Sequence, residues 1–244
     1  MESINDNERL QLELNQTQDI SVGREVFYNF LSRSFEKEID KPFLDMVADL
    51  IPHFESITGQ SEDDNLSQGG LIISEFSNKV GGLEAGEEEE LMQELARNFA
   101  SLFLIGKGAI PTSSSFYLSP DRLRKQEPYF QVLDTYQKTG FVKPEKFKED
   151  EDHIAMELLF MAVLSNLIGK SLESGEIEKA SGYLIEQQTF LENHMLSWIP
   201  IFCERLIGIA EDREFYKSIA MLTAGFLAMD AEYLKDTELL FSGE

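Results

Sequence analysis

The sequence predicts an all-α protein, a single helical globule of about nine or ten helices in two subdomains joined by a hinge. Three observations predict it. Apolar residues recur at spacings of three and four along most of the 244 residues, the signature of helices with one buried face. No alternating β-branched segment of strand length stands out. Helix-start and helix-stop residues, such as Asp40 before Pro42 and the glycine pair Gly81-Gly82, fall between the periodic runs.

Residues 1–20 are polar with scattered leucines (Leu10, Leu12, Leu14) and read as a mobile N-terminal arm. Residues 21–140 read as an N-terminal helical subdomain, 141–152 as the hinge, and 153–244 as a C-terminal helical subdomain. Val22, Val26, Phe27, Phe30, Leu31 and Phe35 form the first apolar stripe. Asp40 and Pro42 start a second helix with Phe43, Met46, Val47, Leu50, Ile51 and Phe54 inward. A third helix carries Leu71, Ile72, Phe76 and Val80. Four glutamates at 87–90 suit the first turn of a fourth, where carboxylates meet the positive end of the helix dipole. Its stripe is Leu91, Leu95, Phe99, Leu102 and Phe103.

The stretch 106–119 is long, irregular and rich in Gly, Ser and Thr, and loops of that length in compact domains usually carry a task. Ser119 and Pro120 then suit an N-cap and first helical position, with Pro128 interrupting or restarting that helix and Gly140 ending it. After the connector come an apolar helix through Ile154, Leu158, Met161 and Ile168 and three more stripes, ending with Phe215 to Met229.

A chain of this length buries roughly three quarters of its unfolded surface and needs no staple. Its single cysteine, Cys203, rules out an internal disulfide and suits a reducing compartment. The first residues carry neither a basic nor an apolar signal region, and no run approaches ~18 apolar residues. The expected localisation is therefore cytoplasmic, without membrane insertion. The net charge of −24, from 45 acidic and 21 basic residues, argues against nucleic acid and anionic lipid as partners and favours a basic segment of another protein.

Catalytic motifs are missing. Gly106-Lys107-Gly108 is too short for a phosphate loop, and no Gly-x-Ser-x-Gly elbow occurs. His53, His153 and His194 lie far apart in sequence, and Cys203 sits beside Phe202 and Leu206 as a packed residue. Glu149, Asp150, Glu151, Asp152 and His153 form the one polar constellation, with Glu157 four residues on. No Glu-x-x-His pair of the di-iron kind is present. Read by chemistry alone, Asp152 is an N-cap or first-turn acid and His153 a hydrogen-bonding residue at a helix junction. The reading is of a non-enzyme needing no cofactor and no metal. Its competitors are a helical adaptor for a folded partner and, less favoured, a metal- or nucleotide-dependent helical-bundle enzyme.

Four stretches resemble one family in order and spacing. They are Leu102-Phe103-Leu104 through Pro111 to Ser115-Phe116-Tyr117, then Gln126-Glu127-Pro128 with Tyr136 and Gly140, then Asp152-His153-Ile154-Ala155-Met156-Glu157-Leu158-Leu159-Phe160-Met161, and finally Phe190-Leu191-x-x-His194 with Trp198, Pro200 and Phe202. The last helix, from Phe215-Tyr216 to Asp230, also fits. The resemblance is to the TorD/DmsD-type chaperones of molybdopterin oxidoreductases, which are related to NarJ. It implies an all-helical chaperone that binds the twin-arginine signal peptide or N-terminus of such an oxidoreductase precursor and holds it for cofactor insertion before export or assembly. It implies a peptide site at Asp152 and His153 with the loop from Pro111 to Ser115, Phe116 and Tyr117 nearby. Glu149 to Asp152 would supply an acidic mouth, and Phe99, Leu102, Phe103 and Phe116 part of an apolar wall. The sequence departs from the family pattern at Ser114, where a glutamate or glycine is usual, and at Asp150 and Glu151, where a proline usually precedes the Asp-His pair. The connector is long enough for exchange between two copies, so a monomer and a domain-swapped dimer are both compatible with it.

Overall fold

The computed structural model describes residues 6–59 and 61–242, with side-chain surroundings for 8–59 and 61–238. Among them it is all-α, with ten α-helices and no strand. The helices are α1 (Asp6–Glu36), α2 (Lys41–Thr58), α3 (Asp64–Gly81), α4 (Ala85–Phe99), α5 (Ser115–Leu118), α6 (Glu127–Thr139), α7 (Ile154–Glu173), α8 (Ile177–Asn193), α9 (Ile199–Ile209) and α10 (Glu214–Ser242). A π-turn, Ala100–Leu104, extends α4, and a 3-10 turn, Met195–Ser197, precedes α9.

Local signals account for most boundaries. Asp40 caps α2, its carboxylate accepting from the Phe43 N–H at 3.1 Å, with Pro42 in the first turn. Asp63 caps α3 in the same way through Leu66. Glu84 and Glu87 form a reciprocal capping box at the start of α4. Gly140 closes α6 in the left-handed conformation, φ 73°, which a residue without a Cβ adopts at no steric cost.

α1 and α7 pack along one another, α10 lies on α3, and α8 and α9 close the other flank of α7 and α10. One continuous hydrophobic core joins them, from Phe27 to Leu234. Phe27 touches Phe54 of α2 (ring centroids 4.8 Å) and stacks on Phe226 of α10 (4.3 Å), so three helices meet at one ring. The crossing of α3 and α10 is close enough to require glycine. A Cβ at Gly225 would sit 2.6 Å from the Leu66 backbone nitrogen, and one at Gly69 2.9 Å from that of Leu222. α7 alone is long and apolar enough to cross a membrane among the described residues, but its most apolar stretch is 67% buried inside the protein.

Four expectations are corrected. From Asp6 onward the supposed arm is the first half of α1, and residues 1–5 lie outside the described residues. The inward face of α1 runs through Thr17, Ser21, Arg24, Phe27, Tyr28 and Leu31, whereas Val22 and Val26 are exposed. The hydroxyls of Thr17 and Ser21 satisfy themselves on carbonyls one turn back, which allows small polar residues to be buried. Arg24 is buried because Asp230 binds it at 2.5 and 2.8 Å and Gln187 at 2.6 Å, while the Tyr28 hydroxyl donates to Asp230 at 2.6 Å. Met46, expected inside α2, is exposed. Finally, Ser119 and Pro120 start no helix. Residues 119–126 stay irregular, with Arg122 and Lys125 at φ 50° and 54°, and α6 starts at Glu127 with Pro128 in its first turn.

Candidate functional site

The irregular stretch before α5 is sewn to the start of α7. Ser114 N–H donates to the Asp152 carbonyl at 2.9 Å, and Ile154 N–H donates to the Thr112 carbonyl at 2.8 Å. Together they make an isolated antiparallel bridge between Ser113 and His153. The Asp152 carboxylate adds a third stitch, accepting from the Ser115 N–H at 3.1 Å. At the other end of the loop, Ile110 N–H donates to the Leu102 carbonyl at 2.7 Å, next to the π-turn. The loop is thereby held at both ends.

His153, rather than Asp152, caps α7. Its Nδ1 accepts from the Ala155 N–H at 3.2 Å, which fixes the lone pair on that nitrogen and leaves the ring neutral. Burial pushes its pKa down to about 3, and the nearby Asp150 charge does not offset this. Asp152 is 1% exposed and His153 4%. One oxygen of Asp152, Oδ1, has no hydrogen-bond partner in the protein.

In front of this junction lies a cleft of about 320 Å³. Of the residues predicted for the site, the structure brings Phe99, Phe103, Pro111, Phe116, Glu149 and His153 to its lining. Asp152, Ser115 and Tyr117 do not line it. Ser115 is fully buried, and its hydroxyl accepts from the Gln126 N–H at 3.3 Å. Tyr117 turns away, donating to the Pro111 carbonyl at 2.8 Å and lying against Trp198, with ring centroids 5.3 Å apart. Two charged lining residues, Glu36 at the end of α1 and Arg124, were not anticipated. Glu36 has no local pattern that marks it, since it meets Glu149 only through the fold.

The four carboxylates at 149–152 have separate roles. Asp150 binds Arg124 at 2.8 Å and Lys125 at 3.4 Å. Burial alone would raise its carboxyl, but the Arg124 hydrogen bond and charge outweigh it and hold the pKa below the usual range. Glu151 binds Lys143 at 3.0 Å and accepts from the Tyr129 hydroxyl at 2.9 Å. Asp152 is occupied by Ser115. Glu149 is the one of the four that lines the cleft.

Behind the junction, Glu157 is fully buried and reaches two residues of the last motif. It binds His194 Nε2 at 2.8 Å and accepts from the Trp198 indole N–H at 3.0 Å. Burial raises the Glu157 carboxyl above its usual range. Burial would lower the His194 imidazole, but the Glu157 charge and hydrogen bond raise it instead. Among the described residues no group of three or more His, Cys, Asp or Glu stands close enough to hold a metal ion. Cys203 is buried, which pushes its thiol up and away from reactivity.

Residues 71–204, more than half of the chain, match the family described as nitrate reductase delta subunit. The chain is 30% identical over 226 residues to the Chaperone protein TorD of Vibrio atlanticus (strain LGP32), covering 89% of this chain and 97% of that protein. The chain belongs to the NarJ/TorD family. It is also 32% identical over 214 residues to the Chaperone protein TorD of Vibrio vulnificus (strain YJ016), covering 86% of this chain and 94% of that protein. To the Chaperone protein TorD of Psychrobacter sp. (strain PRwf-1) it is 28% identical over 225 residues, 91% of this chain and 96% of that protein. These relatives place the chain among the maturation chaperones of redox enzymes, and not among enzymes. In this member of the NarJ/TorD family the motif residues Asp152, Glu157, His194 and Trp198 are all interior.

Proposed function

We propose that this chaperone binds the twin-arginine signal peptide, or the N-terminus, of a molybdopterin oxidoreductase precursor in the cleft between the π-turn and the start of α7. Holding that segment in the cytoplasm delays export or assembly until the cofactor has been inserted into the enzyme. The observation that carries the reading is the pairing of Glu36 and Glu149 over aromatic walls from Phe99, Phe103 and Phe116. A guanidinium has a planar fork of donors for carboxylates and a flat face for aromatic rings. Arg124, which also lines the cleft, gives its hydrogen bonds to Asp150 and meets Glu149 only as a nearby charge.

In this reading the contact residues are Glu36, Glu149, Phe99, Phe103, Pro111 and Phe116, with neutral His153 beneath them. Asp152, Ser115 and Tyr117 hold the loop in place. The connector at 141–152 serves as the hinge between the subdomains at 21–140 and 153–244. Pull-down of a twin-arginine oxidoreductase precursor with and without its leader tests the proposal. Capture that requires the leader supports it. Equal capture of both forms favours the adaptor reading, in which a folded surface is recognised.

A further inference from the structure

We infer that the peptide groove continues from the cleft across Ala109, Ile110 and Pro111 onto the outer face of α9, and that the apolar stretch of the leader lies there. The inference rests on the proposed leader binding and adds to it a second subsite and a direction for the peptide.

Size is the first argument. A cleft of about 320 Å³ is at the small end of the range of ~300–1,000 Å³ for sites that enclose one small molecule. It accommodates the side chains of a basic pair, not the apolar stretch that follows them. Continuity is the second. Ala109, Ile110 and Pro111 line the cleft on one side and, on the other, a shallow depression of about 430 Å³ completed by Gly108, Arg205, Gly208 and Ile209.

Charge is the third. The chain carries 45 carboxylate side chains, yet none lines this depression, and its one charged residue is Arg205. The guanidinium lies over the Tyr117 ring, 5.3 Å from its centroid. The cleft holds Glu36 and Glu149 beside an Arg124 that Asp150 binds, so a cation is drawn there and repelled by Arg205, whereas an uncharged apolar segment meets no carboxylate beyond the ridge. The opposition fixes the direction, with the basic end in the cleft and the apolar stretch over α9.

Apolar exposure is the fourth. Ile105 is 71% exposed and Ile209 44%, and Leu104 and Ile201 are exposed as well. Ile201, Arg205, Gly208 and Ile209 share one helix face by their spacing, while Phe202, Cys203 and Leu206 fill the opposite, buried face. A Cβ at Gly208 would meet nothing within 4 Å. The flat backbone there is not demanded by packing and leaves room for a ligand.

The test uses the full chain and a synthetic peptide with two arginines followed by a leucine–alanine stretch. A photoreactive phenylalanine analogue is placed either beside the arginines or inside the apolar stretch. The first peptide is expected to form adducts at Glu36 or around Phe99 and Phe103, and the second on α9 and residues 104–111. Both labels mapping to the cleft, or the reverse order, would overturn the inference while leaving leader binding intact. No saturable adduct from either peptide would overturn leader binding itself. Ile209→Glu, at an exposed position, is expected to weaken the full peptide about tenfold and to leave a peptide holding only the basic part unchanged. Equal affinity of the full peptide for variant and wild type would contradict the α9 subsite.

Discussion

Two breaks in the helical chain, a long one before α7 and a short one before α9, each bury a histidine, and they treat it in opposite ways. His153 before α7 meets a backbone N–H and no carboxylate, so burial keeps it neutral, with a pKa near 3. His194 before α9 meets the Glu157 carboxylate at 2.8 Å, which raises it. The difference shows that histidines in two motifs of similar appearance serve different purposes. His194 locks α8 and α9 to α7 through a charge. His153 shapes the floor of the cleft as a neutral ring, where a protonated one would repel an arginine.

The largest effect that tests this contrast comes from Glu157. Glu157→Ala removes one partner of a fully buried pair and leaves His194 and the Trp198 N–H unsatisfied. Such losses cost about 3–5 kcal/mol, and chemical denaturation should show a drop of that order in unfolding free energy. A change below about 1 kcal/mol would mean that the pair does not hold the two breaks together.

The pH dependence of stability gives the next effect, with opposite signs for the two histidines. The folded pKa of His153 is depressed to about 3, below its ordinary 6.5. Its contribution is complete above pH about 6.5 and is lost as pH falls from there toward about 3, because only the unfolded chain takes up the proton. One proton is worth at most about 1.4 kcal/mol per pH unit. His153→Asn keeps a capping acceptor and has no such titration, so denaturation across pH 4–6 should show a flatter acid limb by about one proton. For His194 the folded pKa is raised, so its contribution is present below about 6.5 and is lost as pH rises through the folded value. An unchanged acid limb in His153→Asn would refute the neutral assignment.

The smallest effect is expected at Asp152. Asp152→Asn keeps an oxygen for the Ser115 N–H and removes a charge whose second oxygen has no partner. Stability should change by no more than about 1 kcal/mol, and leader affinity by less than about threefold. A much larger loss of affinity with stability intact would make Asp152 a contact residue.

Most of the fold was legible because the signals are local. Asp40 with Pro42, Gly140 and the apolar run through α7 each act within a few residues of themselves. The first half of α1 was not legible, since Thr17, Ser21 and Arg24 look solvated until Asp230 and Gln187 arrive from distant helices. Ser119 and Pro120 made a sound local helix start, but they follow directly on α5, and residues 119–126 run through turns with Arg122 and Lys125 at positive φ instead. In the site, the aromatic wall and Glu149 were readable from motif spacing. The division of the carboxylates at 149–152 depends on Arg124, Lys143 and Tyr129, and Glu36 depends on the end of α1 reaching the cleft. Neither leaves a trace in sequence.

The central claim is that Glu36 and Glu149, not the buried Asp152, receive the basic part of a leader. Titration of a fluorescent twin-arginine leader peptide into wild type, Glu36→Lys with Glu149→Lys, and Asp152→Asn tests it most directly. The account predicts at least a tenfold loss for the double charge reversal, or about 1.4 kcal/mol, with melting unchanged and Asp152→Asn close to wild type. Wild-type affinity in the double variant would contradict it.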